Sequence, residues 1–455
     1  MKKYSMEPLK IHLYALIMIF ALGLMAADSP KEIPKGDVAD NVCVFEYAVY
    51  IIDPSVTDTE KILKEIAGDK YKFLIRLDKP RKDISFFMVK TITDVQKEYA
   101  PPSPEALQHF GRGLSKEQAE KMQDSSSVIM IDFAFPIEKR ADGMLAAAEL
   151  MEKLAEKTKG IIWDEETREC FTAESWKKDR IETFDKGIPD VPRNITIHAY
   201  KNGEYIRAIT LGMVKFGLPD IVVNDFPWSL NKSVGNLINA FAQQLYETGT
   251  IVKKGEFDLD LQGIKHDGAR KRYLNGLYDN STKKASLGLV EGKLEEGDPE
   301  NRLFEIVFDK YKGKDKIEKM EDMTTKLWGS EDSISYVKHN DEILAASKKA
   351  KEKIPAIQEA FSKGLAPGEY YMVKSPFLTP DKGTEWMWVE IVSWKEKDKI
   401  IGILKNQPFN IPTLKAGAEV QIKVSEIFDY IHKKPDGTSE GNETGALIEK
   451  YSEKK

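Results

Sequence analysis

Apolar positions recur along this chain with two periods, one suited to strands and one to helices. Residues 42–52 (VCVFEYAVYII) are almost continuously β-branched, aromatic or aliphatic, the composition of a buried strand. Asp53-Pro54-Ser55 turns the chain, and residues 57–67 place Ile62, Leu63 and Ile66 on one side of a short helix. Residues 71–77 and 84–91 read as two further strands, followed by a Pro-rich loop at 100–104. Ser115 with Gln118 three residues on is a capping box opening a helix to Met122. After a strand at 128–135, residues 143–159 repeat Met144, Ala147, Ala148, Met151, Leu154 and Ala155 at helical spacing. A strand resumes at 161–163. Strands alternating with helices predict an α/β sandwich with ferredoxin-like elements.

Asn202-Gly203 joins apolar runs at 195–200 and 205–211, a strong hairpin signal. The turn 212–220 (GMVKFGLPD) brings backbone close to backbone and leads into a strand. Residues 232–247 carry Val234, Leu237, Ile238, Phe241 and Leu245 on one helical face, and Gly249 ends that helix. A domain boundary is expected there. Strict alternation at 256–261, strands at 286–290 and 303–308, and a helix at 316–327 predict a small central α+β module over 250–339. Residues 340–363 form a long amphipathic helix with Pro355 inside it. Short strands at 370–374, 386–394, 400–404 and 420–424 then predict a small bent β-sheet or partial barrel. The expected class is α+β/α/β multidomain: an α/β domain over 42–249, the central module, and a C-terminal domain over 340–445. Residues 28–41 are expected to be a flexible leader and 446–455 a frayed tail.

The N-terminus changes the picture of where the protein resides. Lys2, Lys3 and Lys10 precede an uncharged apolar run at 11–26, and small residues precede Asp28-Ser29-Pro30. This is the pattern of a secretory signal peptide over 1–27, and no later segment is apolar enough to span a bilayer. The expected location is periplasmic or secreted. The 455-residue chain has a formal charge of −6 and no basic run, so it lacks an electrostatic footprint for nucleic acid. Cys43 and Cys170 are the two cysteines; in an exported protein they form either one disulfide or two buried thiols.

Several sequence motifs for catalysis are missing: there is no HExxH, Walker loop or GxGxxG. The histidines stand singly, and no metal or cofactor is expected. Asp436 to Gly441 spaces oxygens and a glycine like a calcium loop, but position twelve is Leu447 instead of a glutamate. In residues 385–390 (EWMWVE), alternation sends Trp386, Trp388 and Glu390 to one face, with Trp394 expected to join them, and Met387, Val389 and Ile391 to the other. A carboxylate beside tryptophans suits a cationic or sugar-like ligand. The alternative is a central strand covered on both faces, with Glu390 tied to a lysine or a backbone donor.

An ordered series of short motifs follows: YMVK (371–374), EWMWVE (385–390), GILKNQP (402–408), LKAGAEV (414–420), IFDY (427–430) and GNETG (441–445). The series resembles the C-terminal domain of the bacterial YegJ-like family, a family built on a domain of unknown function. The resemblance covers about residues 340–445 and implies a bacterial envelope protein, without an activity. It makes Asn406, Pro408, Asp429, Asn442 and Glu443 shared positions. With Trp386, Trp388 and Glu390 they are the candidate binding residues. The expected function is a non-catalytic module binding an unknown protein or small molecule. The alternative is an envelope hydrolase with dispersed carboxylates at Glu390, Asp429 and Glu443.

Overall fold

The computed structural model describes residues 31–452 apart from 57, 67–74, 78–83, 204, 330–340 and 436–437. The expected signal peptide therefore lies outside the described residues, as do most of the strand at 71–77, the helix cap at Asn340, and Asp436-Gly437.

The first sheet is built around β1 (Val42–Ile51). The chain continues through α1 (Thr59–Ile66), β2 (Phe86–Ile92), β3 (Ser127–Pro136), α2 (Arg140–Thr158), β4 (Ile161–Asp164) and β5 (Glu169–Phe171). The central order is β2-β3-β1-β4, antiparallel throughout, which is the ferredoxin-like βαββαβ arrangement expected from the alternating pattern. Ile75–Arg76 extends the sheet beyond β2, while β5 and Gly111–Arg112 extend it beyond β4. Phe45, Tyr47, Val49 and Ile51 face the helices, whereas Ala48 and Tyr50 pack under the 95–123 insertion with Leu107, Leu114 and Met122. Burial on both faces explains why the sequence of β1 does not alternate.

The second sheet corrects the expected domain boundary. Its strands are β6 (Thr196–Asn202), β7 (Tyr205–Leu211), β8 (Asp220–Phe226), β9 (Glu256–Asp260), β10 (Lys284–Glu291) and β11 (Leu303–Val307). They lie in the order β9-β10-β11-β8-β7-β6, with β8 and β11 parallel at the centre. Two three-stranded meanders are joined by α3 (Asn231–Thr248), and α4 (Lys316–Trp328) follows the second. A division at residue 249 would cut this sheet in half. The core is also shared: one hydrophobic cluster runs from Ile33 through both sheets to Trp328.

The leader is corrected as well. Ile33 and Val38 are buried, Gly36–Asp37 pairs with Thr250–Ile251, and the Ile33 N–H donates to Leu289 O at 3.2 Å. Two apolar side chains among polar neighbours suffice to dock residues 31–38 on the second sheet.

The C-terminal domain has its own core. Helix α5 (Asp341–Ser362) keeps Pro355 inside it and presents Ala350, Ile354 and Ile357 to the sheet. The strands are β12 (Tyr370–Leu378), β13 (Thr384–Glu396), β14 (Lys399–Leu404), β15 (Glu419–Lys423), β16 (Asp429–Lys433) and β17 (Ser439–Gly441). They form an open antiparallel sheet in the order β15-β14-β13-β12-β16-β17, so the barrel is not closed. The expected frayed tail begins as helix α6 (Glu443–Ser452). The domain is attached to the rest by hydrogen bonds from Gly368 N to Gln108 O (2.7 Å), from Lys116 Nζ to Lys363 O (2.9 Å) and from Gly113 N to Pro435 O (3.2 Å).

Candidate functional site

Alternation in β13 works as expected over its first half. Met387, Val389 and Ile391 are buried against α5, and Trp386, Trp388 and Glu390 lie half-buried on the opposite face. Trp394 does not join them. The register against β14 shifts after Ile391, leaving Val392 exposed and turning Trp394 to the helix side, where its ring lies 6.4 Å from that of Phe361. A bulge inserts one residue and so reverses the faces beyond it. Gly402 sits opposite the bulge, where a Cβ would collide with the carbonyl of Glu390.

The candidate residues separate into two groups. In the first, the backbone N–H of Trp388 donates to Asn406 Oδ1 at 2.6 Å, and its carbonyl accepts from Lys405 N at 2.8 Å. Asn406 thus continues the pairing of β13 after β14 ends. Pro408 is buried just beyond it, and Glu385 accepts the N–H groups of Phe409 and Asn410 at 2.7 and 2.9 Å. Glu390 forms an ion pair with Lys405 at 2.8 Å, and Lys405 also lies 5.2 Å from the ring centre of Trp228, a residue of the larger unit. Trp386 packs on Phe428 with ring centres 4.6 Å apart.

The second group fastens the C-terminal helix. Asp429 is 1% exposed; its Oδ1 accepts from Tyr430 N at 2.8 Å, and its Oδ2 accepts from Thr444 N and Oγ1 at 2.9 and 2.6 Å. Asn442 has a left-handed backbone (φ 64°) just ahead of α6, and its N–H donates to Tyr430 O at 2.8 Å. Glu443 is exposed at the first position of that helix. The three carboxylates of the hydrolase alternative are therefore not assembled together: one is ion-paired, one is buried in a turn network and one faces solvent.

Lys374 was not among the candidate residues. It pairs with Trp388 on one side and Asp429 on the other, so the three occupy one cross-strand row. Burial pulls its ammonium below the ordinary lysine range, with the charge of Asp429 acting in the opposite direction. In sequence it was one lysine among many, and only the register of β12 reveals its position.

A second polar centre lies where the two large sheets meet. Lys215, in the turn Met213–Phe216, is fully buried with its Nζ 2.6 Å from Asp164 Oδ2. Asp164 also lies 3.4 Å from Arg180 and accepts from the N–H groups of Glu166 and Thr167. Arg180 bonds Glu169 at 3.1 Å and covers the Phe171 ring at 4.6 Å. Gly212 (φ 105°) and Gly217 (φ 66°) allow the sharp entry and exit that drive Lys215 inward. Asp220 closes the turn: it accepts from Thr210 Oγ1 at 2.7 Å, Met213 N at 3.2 Å and Asn301 Nδ2 at 2.7 Å, and burial raises its pKa to about 6. Lys215, Asp164 and Arg180 are all sealed from solvent, so this centre joins the sheets instead of receiving a ligand.

The cysteines do not form a bridge. Cys43 and Cys170 are free and buried on opposite faces of the first sheet: Cys43 pairs with Phe135 on the helix side, and Cys170 packs with the 95–123 insertion. Burial pushes the Cys43 thiol up to about 12 and raises that of Cys170 as well. Among the described residues no helix is long and apolar enough to cross a membrane. No curated protein and no solved structure matches the chain. Residues 340–455, which comprise the C-terminal sheet and its two helices, match the family described as "Uncharacterized protein conserved in bacteria (DUF2314)".

Proposed function

We propose that this is an exported, non-catalytic binding protein of the bacterial cell envelope, and that its C-terminal sheet carries the binding face. One observation supports this above the rest. Trp388 stands half-buried on the face turned away from α5, while its strand neighbours Met387 and Val389 are almost completely buried on the other. A large aromatic ring kept outside the core, beside a lysine and an ion-paired glutamate, is the composition of a recognition surface. The separation of Glu390 in an ion pair, Asp429 in a buried turn network and Glu443 at the surface favours binding over hydrolysis. The YegJ-like kinship drawn from the sequence motifs belongs to the same proposal.

Export rests on the N-terminal pattern, and intact mass of the protein recovered from its host is expected to lack roughly 23–27 residues. A full-length mass would count against export. The binding reading is tested by affinity capture from envelope extract, comparing the natural chain with Trp388→Ala and identifying captured components by mass spectrometry. Components captured by the natural chain are expected to be lost with the variant. Identical capture by a folded variant, at low and high salt, would sink the proposal for this face.

A further inference from the structure

The row Asp429–Lys374–Trp388 holds a lysine that makes no direct bond to its acidic neighbour. Residues paired across antiparallel strands share a face, and this face is the one opposite α5. Lys374 is half-buried, and its Nζ lies 5.8 Å from the centre of the Trp388 ring. Among the described residues its ammonium has no hydrogen-bond or ion-pair partner. Asp429 is adjacent but turned away, both of its oxygens being engaged by Tyr430 and Thr444. Glu390 is held by Lys405. The adjoining row is Ile431–Met372–Glu390, so the ground beside Lys374 is largely apolar.

A partly desolvated ammonium without an acceptor is costly, and an anion brought to it recovers that cost. The charge of the site is therefore opposite to the one the Glu390 carboxylate suggested. We infer that Lys374 and Trp388 form the seat of a monoanionic ligand, a carboxylate attached to a flat or apolar body. This rests on the proposal that the C-terminal face binds a ligand. The ammonium takes the carboxylate, and the indole and Met372 take the body. One free lysine matches one negative charge. A dianion such as phosphate would place its second charge near Asp429 and Glu390, where the neighbouring cation, Lys405, is already paired with Glu390.

The test is isothermal titration of the full chain with indole-3-acetate, its neutral analogue indole-3-acetamide, and inorganic phosphate. Indole-3-acetate is expected to bind saturably, with the amide and phosphate each at least about tenfold weaker, as befits loss of a charge-assisted contact. Lys374→Gln is expected to bring indole-3-acetate down to the level of the amide, and Lys374→Arg to retain most of the affinity. Thermal unfolding of each variant checks that it folds. Equal affinity for acid and amide would overturn the inference, as would unchanged affinity in Lys374→Gln or no binding of either indole. The two proposals fail separately. If Trp388→Ala loses envelope capture while Lys374→Gln keeps it, the anion seat is wrong and the binding face stands. If Trp388→Ala loses nothing, the face itself is wrong.

Discussion

Replacing Lys215 by methionine tests the sealed polar centre that joins the two large sheets. The substitution roughly preserves length and removes the ammonium 2.6 Å from Asp164. Breaking a buried ion pair from one side costs about 3–5 kcal/mol, because the remaining charge keeps its desolvation penalty. Asp164 retains Arg180 at 3.4 Å and two backbone N–H donors, which places the expected cost near the lower end, about 3 kcal/mol. That is a large part of the roughly 5–15 kcal/mol by which a folded unit is stable. With a urea dependence of about 3 kcal/mol per molar, the midpoint should fall by about 1 M. Hydrogen exchange read by mass spectrometry across the urea series assigns the loss. Peptides from residues 31–328 should shift together because they share one core, while peptides from the separately cored 341–452 serve as an internal reference. Asp164→Asn combined with Lys215→Met should cost about 2 kcal/mol less than the sum of the single changes, the signature of residues that interact. A cost below about 1 kcal/mol, or strict additivity, would refute the view that this pair is ionised and structural.

Three further outcomes are expected. Asp220 holds its proton up to about pH 6 when folded, against an ordinary value of 3.8. Between these values the native state binds more protons than the unfolded chain, so this residue's contribution to stability falls as pH rises from about 4 to 6. Urea midpoints across that range should show a flatter fall in Asp220→Asn; identical slopes would remove Asp220 as the cause. Asp429→Ala leaves both Thr444 donors without their acceptor and should cost about 2–3 kcal/mol in the C-terminal domain, with faster exchange in residues 443–452. Unchanged protection of that helix would contradict the tie. Native protein should leave both thiols unreactive toward iodoacetamide, and denatured protein without reductant should alkylate both. A mass two hydrogens lighter, with neither site labelled, would mean a bridge exists.

Much of this fold was legible from local periodicity, because burial on one or two faces writes itself into neighbouring residues. The ten-residue run of β1, the stripe of α2 and the Asn202-Gly203 hairpin are of this kind, and so is the capping box at Ser115, where both reciprocal bonds are present. Pairing between distant strands leaves no such trace. Nothing in residues 303–307 announces that they lie parallel to 220–222, and this one contact converts two expected domains into a single sheet. The candidate site divided along the same line. Two-residue alternation placed Trp386, Trp388 and Glu390 correctly, but it cannot anticipate the bulge that carries Trp394 across, since the extra residue becomes visible only against β14. Charge is harder still. Lys215 and Lys374 look like solvent-facing lysines in sequence; two glycines bury one, and the turning of Asp429 toward Thr444 leaves the other without an ion-pair partner among the described residues. A lysine's role is decided by which carboxylates are already engaged, and that is a property of the assembled sheet. The face marked by tryptophan and glutamate in sequence also carries, once its register is known, a half-buried lysine beside the tryptophan.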